Sequence, residues 1–403
     1  MENLIKKQFD YHITGSTLYE IAFIYYFTLG FLQTSTFTEY FPNNTFHYLS
    51  FVSLGLILFK LFFLDEQKIK TFIFNLAILF LLVITWRTSQ NFDLLPMGFF
   101  IIGARNVNFS KLIKLYFVVG TVILAFIMFS SSLGLIKDLI YYRGTTSIVR
   151  ESFGIVYPTD FAAHVLFIVL AFVYTYFDSL SYKSYFLFVL IAFFLIKFCD
   201  ARLNALAILL IIPVVWIGRR AKRGKIVSKC VASFYWMVPI VTAYVTILFV
   251  IFFNDKNKFM HEANLLTSGR LVLGNKAYEG YGFSLFGKQV IEHGWGGLHG
   301  FSMLKNNPEK YFYIDSSYLR IIIMYGIIIF TLIMITMTVI SWRSVHYGQF
   351  VLASIMVIVS LSAIVEQRLI DMSYDPFLIS LFSLMNYRQN EEEKPWVIIL
   401  LKI

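Results

Sequence analysis

Long apolar runs, repeated along the whole chain and separated by short polar turns, constrain this sequence more than any other feature. A helix that crosses a bilayer needs roughly 20 predominantly apolar residues. Twelve such spans are predicted, over residues 17–33, 46–64, 71–86, 94–103, 112–130, 161–177, 184–198, 203–217, 230–253, 316–340, 347–364 and 376–386. The fourth is short and the last is weakly apolar. Only 14% of the 403 residues are charged and 58% are hydrophobic, with a mean hydropathy of +0.70. A soluble domain carries about 25% charge, so a soluble enzyme and a disordered chain are both excluded. Cys199 and Cys230 are too few for a disulfide framework. The expected fold class is an all-α polytopic membrane protein. Residues 1–253 hold spans one to nine, 254–315 form one large loop, and 316–403 hold the last three spans and a tail.

Basic residues in short loops set orientation, because Lys and Arg are retained on the cytosolic side. With both termini in the cytosol, the inner segments hold 18 of the 34 basic residues. The short outer loops hold Arg87, Lys137, Arg143, Arg150, Arg202 and Arg368. The net charge of +10 is therefore an effect of topology: basic residues collect inside. Because the basic residues are scattered between spans, with one cluster at 218–229, no nucleic-acid partner is expected. The first 16 residues predict a short cytosolic leader, and the acidic run at Asn390–Lys394 predicts a solvated tail. The loop 254–315 is the one extramembrane segment large enough for a small folded unit. Within it, Leu271–Ile291 predicts a helix lying on the membrane surface.

Arg150, Arg202 and Arg270 all fall on the expected outer face. Arginine presents a planar fork of donors suited to phosphate, so the three together suggest an anion such as a lipid diphosphate. Taken singly, Arg150 beside Glu151 and Arg202 near Asp200 also read as local pairs. Arg270 follows Ser268-Gly269 and stands at a helix start, where backbone N–H groups favour an anion. Asp315 opens span ten, either as an N-cap or as a carboxylate that takes a hydroxyl proton. Pro158 suits the first turn of span six. His261, His293 and His299 lie in the long loop without a metal-ligand spacing, and no metal is expected. His299 is a candidate base, and His164 either faces a cavity or packs. Glu20, Lys60, Lys197 and Arg320 sit near span ends, where long side chains reach the interface. Glu366 and Arg368 either pair with each other or join the arginines. A phosphate-binding glycine loop is missing, so no ATP hydrolysis is expected.

Several short motifs resemble the Wzy-type polysaccharide polymerases and the related O-antigen ligases. They are Arg150-x3-Gly154 with Tyr157-Pro158, Asp200-Ala-Arg202, and Ser268-Gly269-Arg270 followed by Gly280, Gly282 and Leu285-Phe286-Gly287. The fullest is Tyr313-Ile-Asp315-Ser-Ser317-Tyr318-Leu319, with Tyr325-Gly326-Ile327 further along and Glu366 at a late span. Asp315-Ser316 stands where the ligases carry a His-Asn or His-Ser pair, which favours polymerase over ligase. The resemblance implies a GT-C-like glycosyltransferase of the bacterial cytoplasmic membrane, working without a nucleotide sugar, cofactor or metal. Its substrates would be oligosaccharide repeat units on undecaprenyl diphosphate, and a flippase and a chain-length regulator would be its partners. Arg150, Arg202, Arg270, Tyr157, Tyr318 and Glu366 would hold diphosphate and glycan, and Asp315 or His299 would serve as the base with Arg270 beside it. A polysaccharide ligase of the same family, or a flippase or other transporter of the same lipid-linked unit, is the alternative.

Overall fold

A computed structural model describes residues 14–41, 45–143 and 148–385. Most of the expected leader and the 390–394 charge run lie outside these residues. So do Lys6, Lys7, Arg388, Lys394 and Lys402, which entered the orientation count.

The fold is mostly α-helical. The helices are α1 (Gly15–Gln33), α2 (Thr45–Phe59), α3 (Ile69–Ser89), α4 (Leu94–Gly103), α5 (Phe109–Ser132), α6 (Pro158–Tyr176), α7 (Tyr182–Phe194) and α8 (Arg202–Lys222). They continue as α9 (Ile226–Ala232), α10 (Val238–Ile251), α11 (Lys258–Leu266), α12 (Arg270–Tyr281), α13 (Gly297–Asn306), α14 (Ser317–Arg320), α15 (Gly326–His346) and α16 (Val351–Ser362). Local chemistry sets several starts. The Thr14 and Asn108 side chains accept the orphan amides of Thr17 and Lys111, and Pro158 occupies the first turn of α6. Between α5 and α6 a two-stranded ribbon, β1 (Tyr141–Tyr142) and β2 (Val149–Arg150), pairs antiparallel.

The twelve expected spans are not all span-length helices. Among the described residues, eight helical stretches are long and apolar enough to cross a membrane. They are Thr45–Leu64, Ile69–Ser89, Phe109–Ser132, Pro158–Ser179, Tyr182–Cys199, Arg202–Lys222, Ile226–Ile251 and Ser317–His346. The first expected span is α1, of 19 residues but more polar. The fourth and eleventh are the short helices α4 and α16, of 10 and 12 residues. The twelfth is not a helix of span length: only a 3-10 turn forms, at Phe377–Leu381.

From Ala363 to Met385 the chain instead crosses the bundle as irregular backbone. At one end the Ser317 amide donates to the carbonyls of Ala363 (2.9 Å) and Glu366 (3.1 Å). Midway, Tyr116 O–H donates to the Tyr374 carbonyl at 2.6 Å. At the far end the Leu384 amide donates to the Val107 carbonyl at 2.8 Å. Unpaired backbone in hydrocarbon costs several kcal/mol per group, so such a path survives only inside protein. Residues 369–380 are accordingly buried almost throughout.

The long loop does not lie free above the bundle. The helix expected over Leu271–Ile291 is α12, which stops at Tyr281 and packs on α10 through Asn275 and the Val250 carbonyl (3.0 Å). The chain then descends into a break in span ten. After Arg320 that span passes through one widened π-type turn, Ile321–Tyr325, and restarts at Gly326, where φ is +88°. Residues 284–288 fill the gap. The Ile327 amide donates to the Ser284 carbonyl (2.9 Å), the Ile328 amide to the Leu285 carbonyl (3.4 Å), and the Lys288 amide to the Met324 carbonyl (3.1 Å). Thr88 O–H clamps the Phe286 carbonyl from α3 at 2.6 Å.

Two glycines permit this approach. A Cβ on Gly287 would collide with the Met324 carbonyl, and one on Gly326 with the Gly287 amide. Both also have positive φ. Gly287→Ala and Gly326→Ala should therefore each destabilise the protein by at least about 2 kcal/mol. Gly280→Ala, where a Cβ meets open space, should be nearly neutral. Thermal unfolding in detergent checks this, and equal behaviour of the three variants would contradict the interlock.

Candidate functional site

On the side of the fold that carries the long loop, Arg270, Asp315 and Glu366 meet. Arg270 is the first residue of α12, Glu366 opens the irregular crossing, and Asp315 lies two residues before α14, whose N-cap is Ser316 and not Asp315. The Arg270 Nε lies 3.7 Å from Asp315 Oδ2, and its Nη2 lies 3.8 Å from Glu366 Oε1. Hydrogen bonds fix the guanidinium: Nε donates to the Val365 carbonyl at 2.6 Å and Nη1 to the Thr267 carbonyl at 3.3 Å. Burial pushes the Glu366 carboxyl up to about 7, against the pull of Arg270. Burial likewise raises Asp315, with Arg270 opposing. Burial also disfavours the Arg270 charge, but the Asp315 and Glu366 carboxylates outweigh it and hold the guanidinium more firmly charged.

Aromatic residues connect this centre to an arginine-bearing rim. Tyr311, close to Arg270, stacks on Trp295 with ring centres 4.2 Å apart. Tyr157 is also close to Arg270, and it lies under Arg150, whose guanidinium is 5.3 Å from the ring and whose Nη1 donates to the Tyr157 hydroxyl at 3.3 Å. Arg150 Nε donates to the Cys199 carbonyl at 3.1 Å. Beside it, Asp200 takes Arg143 Nε at 2.6 Å and Arg202 Nε at 2.9 Å. Two arginines thus share one carboxylate at the rim, with Arg150 held beside them by the Cys199 carbonyl.

Beneath Arg270 lies a second, more acidic group of charges. Arg320 Nη1 donates to both oxygens of Glu292 at 2.7 Å, and its guanidinium lies 5.2 Å from the Tyr313 ring. Arg368 pairs with Asp160 and, at 3.3 Å, with Asp371, over the Tyr374 ring at 4.3 Å. Burial first, and then the charge of Asp371, push Asp93 up to about 6, while Arg320 and Arg368 oppose. The side chains of Asp160, Glu292, Arg320, Arg368 and Asp371 are 7–18% exposed. Both groups form one electrostatic unit, since Asp315 feels Asp160 and Glu292, and Glu366 feels Asp160 and Arg368.

Of the expected site residues, Arg270, Asp315 and Glu366 come together and Arg150 with Tyr157 lies next to them. Arg202 stands on the rim with 59% of its side chain exposed. His299 is exposed on α13, with no contact to Arg270 or Asp315. Tyr318 is fully buried between helices, where its hydroxyl donates to the Ser360 carbonyl at 3.0 Å and meets Thr242 at 2.8 Å. His164 packs, its ring sandwiched by Phe31 at 3.8 Å and Tyr374 at 3.9 Å. Sequence patterns do not single out Asp93, Asp160, Glu292, Arg320 or Asp371 as site residues. The available signal was an ionisable residue at a span start, which is costly there and by default functional. Among the described residues, no His, Cys, Asp and Glu side chains group as metal ligands.

Glu366 makes stability depend on pH with a definite sign. Its folded value near 7 lies above the ordinary 4.5, so the folded state holds a proton that the unfolded state releases. Stability is fully present below about 4.5 and falls as pH rises to about 7, by roughly 3 kcal/mol for a shift of this size. Glu366→Gln should flatten the decline in melting temperature between pH 5 and pH 8. An unchanged slope would show that Glu366 is not held protonated.

No protein-family model, curated protein or solved structure matches this chain.

Proposed function

We propose that this chain is a membrane glycosyltransferase, GT-C-like in architecture, that polymerises oligosaccharide repeat units carried on undecaprenyl diphosphate at the outer face of the bacterial cytoplasmic membrane. The observation that carries this proposal is Arg270 held between Asp315 and Glu366, at the junction of an arginine-bearing rim and an acidic interior. Glycosyl transfer separates charge in the same sense. As the bond from the anomeric carbon to the phosphate oxygen breaks, the leaving diphosphate gains negative charge and the sugar becomes oxocarbenium-like. Arginines fixed in advance stabilise the first, and carboxylates beneath them stabilise the second.

Asp315 accepts the proton of the attacking sugar hydroxyl as the new glycosidic bond forms. Undecaprenyl diphosphate departs with the bonding electrons. Glu366, near half protonation at neutral pH, donates a hydrogen bond to a phosphate oxygen beside Arg270. The exposed position of His299 favours Asp315 as base. Trp295 and Tyr311 offer rings for a sugar face to stack on. A flippase and a chain-length regulator are the expected partners.

Two observations favour a transporter of the same lipid-linked unit as the second candidate. The helix break at Gly326 and the irregular crossing beyond Glu366 bring ionisable groups below the surface, as substrate sites of transporters do. A polysaccharide ligase differs in acceptor alone. A deletion strain separates them: loss of a polymerase leaves single repeat units outside the membrane, loss of a flippase traps them inside, and loss of a ligase leaves finished chains untransferred.

Arg270→Lys should lower polymer formation about 100-fold, because lysine keeps the charge but not the planar fork. Arg202→Lys, on the exposed rim, should cost less. Polymer amount and length on gels check both, and full activity of both variants would rule out an arginine-held diphosphate.

A further inference from the structure

The charges around the site are unevenly divided. Asp93, Asp160, Glu292, Asp315, Glu366 and Asp371 face Arg270, Arg320 and Arg368, a formal balance of −3. At the rim the balance is more even, with Arg143, Arg150 and Arg202 around Asp200 and with Glu151 and Asp138 close to Arg150. A buried surplus of negative charge in a low dielectric is unfavourable unless a proton or a ligand relieves it.

Unsatisfied polar atoms point to a ligand there. Glu366 is 4% exposed, and its Oε1 has no hydrogen-bond partner within the protein. Arg368 Nε, close to Glu366, also lacks one. Buried polar atoms are nearly always paired, so one acceptor and one donor left open describe a group that both donates and accepts. Sugar hydroxyls do so. Tyr313, under Arg320 and within the field of Arg368, adds an aromatic face.

We propose that the acidic group of side chains beneath Arg270 forms a subsite for a neutral or amine-bearing sugar of the repeat unit, and that it rejects a sugar bearing a carboxylate. This rests on the glycosyltransferase proposal and narrows its substrate class. Carboxylates accept hydrogen bonds from hydroxyl or ammonium groups, whereas a uronate would place a further negative charge among six. Rejection of the wrong charge is the usual device of specificity.

The test uses the full chain in lipid nanodiscs and ligand-observed NMR with three probes: methyl glucoside, methyl glucosaminide and methyl glucuronide. The first two should bind at least tenfold more tightly than the glucuronide. In the Asp93→Asn/Asp371→Asn variant, that preference should shrink at least tenfold, with Arg320 and Arg368 left in place. The single variant Asp93→Asn, which breaks no ion pair, keeps the test open if the double variant fails to fold, and should shrink it in the same direction. Equal or tighter glucuronide binding by the unaltered protein would overturn the subsite proposal while leaving glycosyl transfer standing. An unchanged preference in the folded variants would also overturn it. Binding of none of the three would overturn the sugar subsite, while the glycosyltransferase proposal stands or falls on the Arg270→Lys and Arg202→Lys variants.

Discussion

Everything at this site depends on how the bundle satisfies backbone groups that its own helices leave open. A continuous span ten would satisfy itself and carry Arg320 past the interior without a partner. Instead the helix stops at Met324–Gly326, and residues 284–288 supply the missing donors and acceptors. The same insertion anchors the stretch that carries Glu292 to Arg320, 28 residues further on. Backbone satisfaction and placement of the charged site are therefore one event.

Charge adds a second layer. Arg270 and Arg368 each lie between two carboxylates and Arg320 pairs with Glu292. Breaking a buried pair typically costs 3–5 kcal/mol, and replacing both partners by apolar residues is often neutral. An apolar centre would therefore have been the easier way to fill this volume. Keeping nine ionisable side chains here sacrifices stability for a field with a fixed direction, more negative beneath than at the rim.

Span positions were legible in the sequence because hydropathy over some 20 residues is a strong signal, and eight of the expected segments fold as span-length helices. The last was misread because Phe377–Leu381 is as apolar as a helix, although Asp375 and Pro376 stand just before it. The irregular path depends on partners such as Tyr116 and Val107, more than 250 residues away. The site divides in the same way. Asp315 and Glu366 stand at span ends and Arg270 at a helix start in the long loop, all beside turn residues, so their shared face was predictable. Arg320 and Arg368 each look like an interfacial side chain until a partner is known, and Asp160 lies 208 residues from Arg368.

The irregular crossing has a consequence for biogenesis. Residues 363–385 cannot enter a bilayer as an independent helix, since their backbone is satisfied by α5, α15 and the start of α14. The walls must stand before the last segment is threaded between them. Glu366 and Arg368 enter with that segment, so the charged centre is completed only at the final step of assembly. A chain stalled or truncated before residue 363 would present its outer loop and most of its spans, and still lack a finished site.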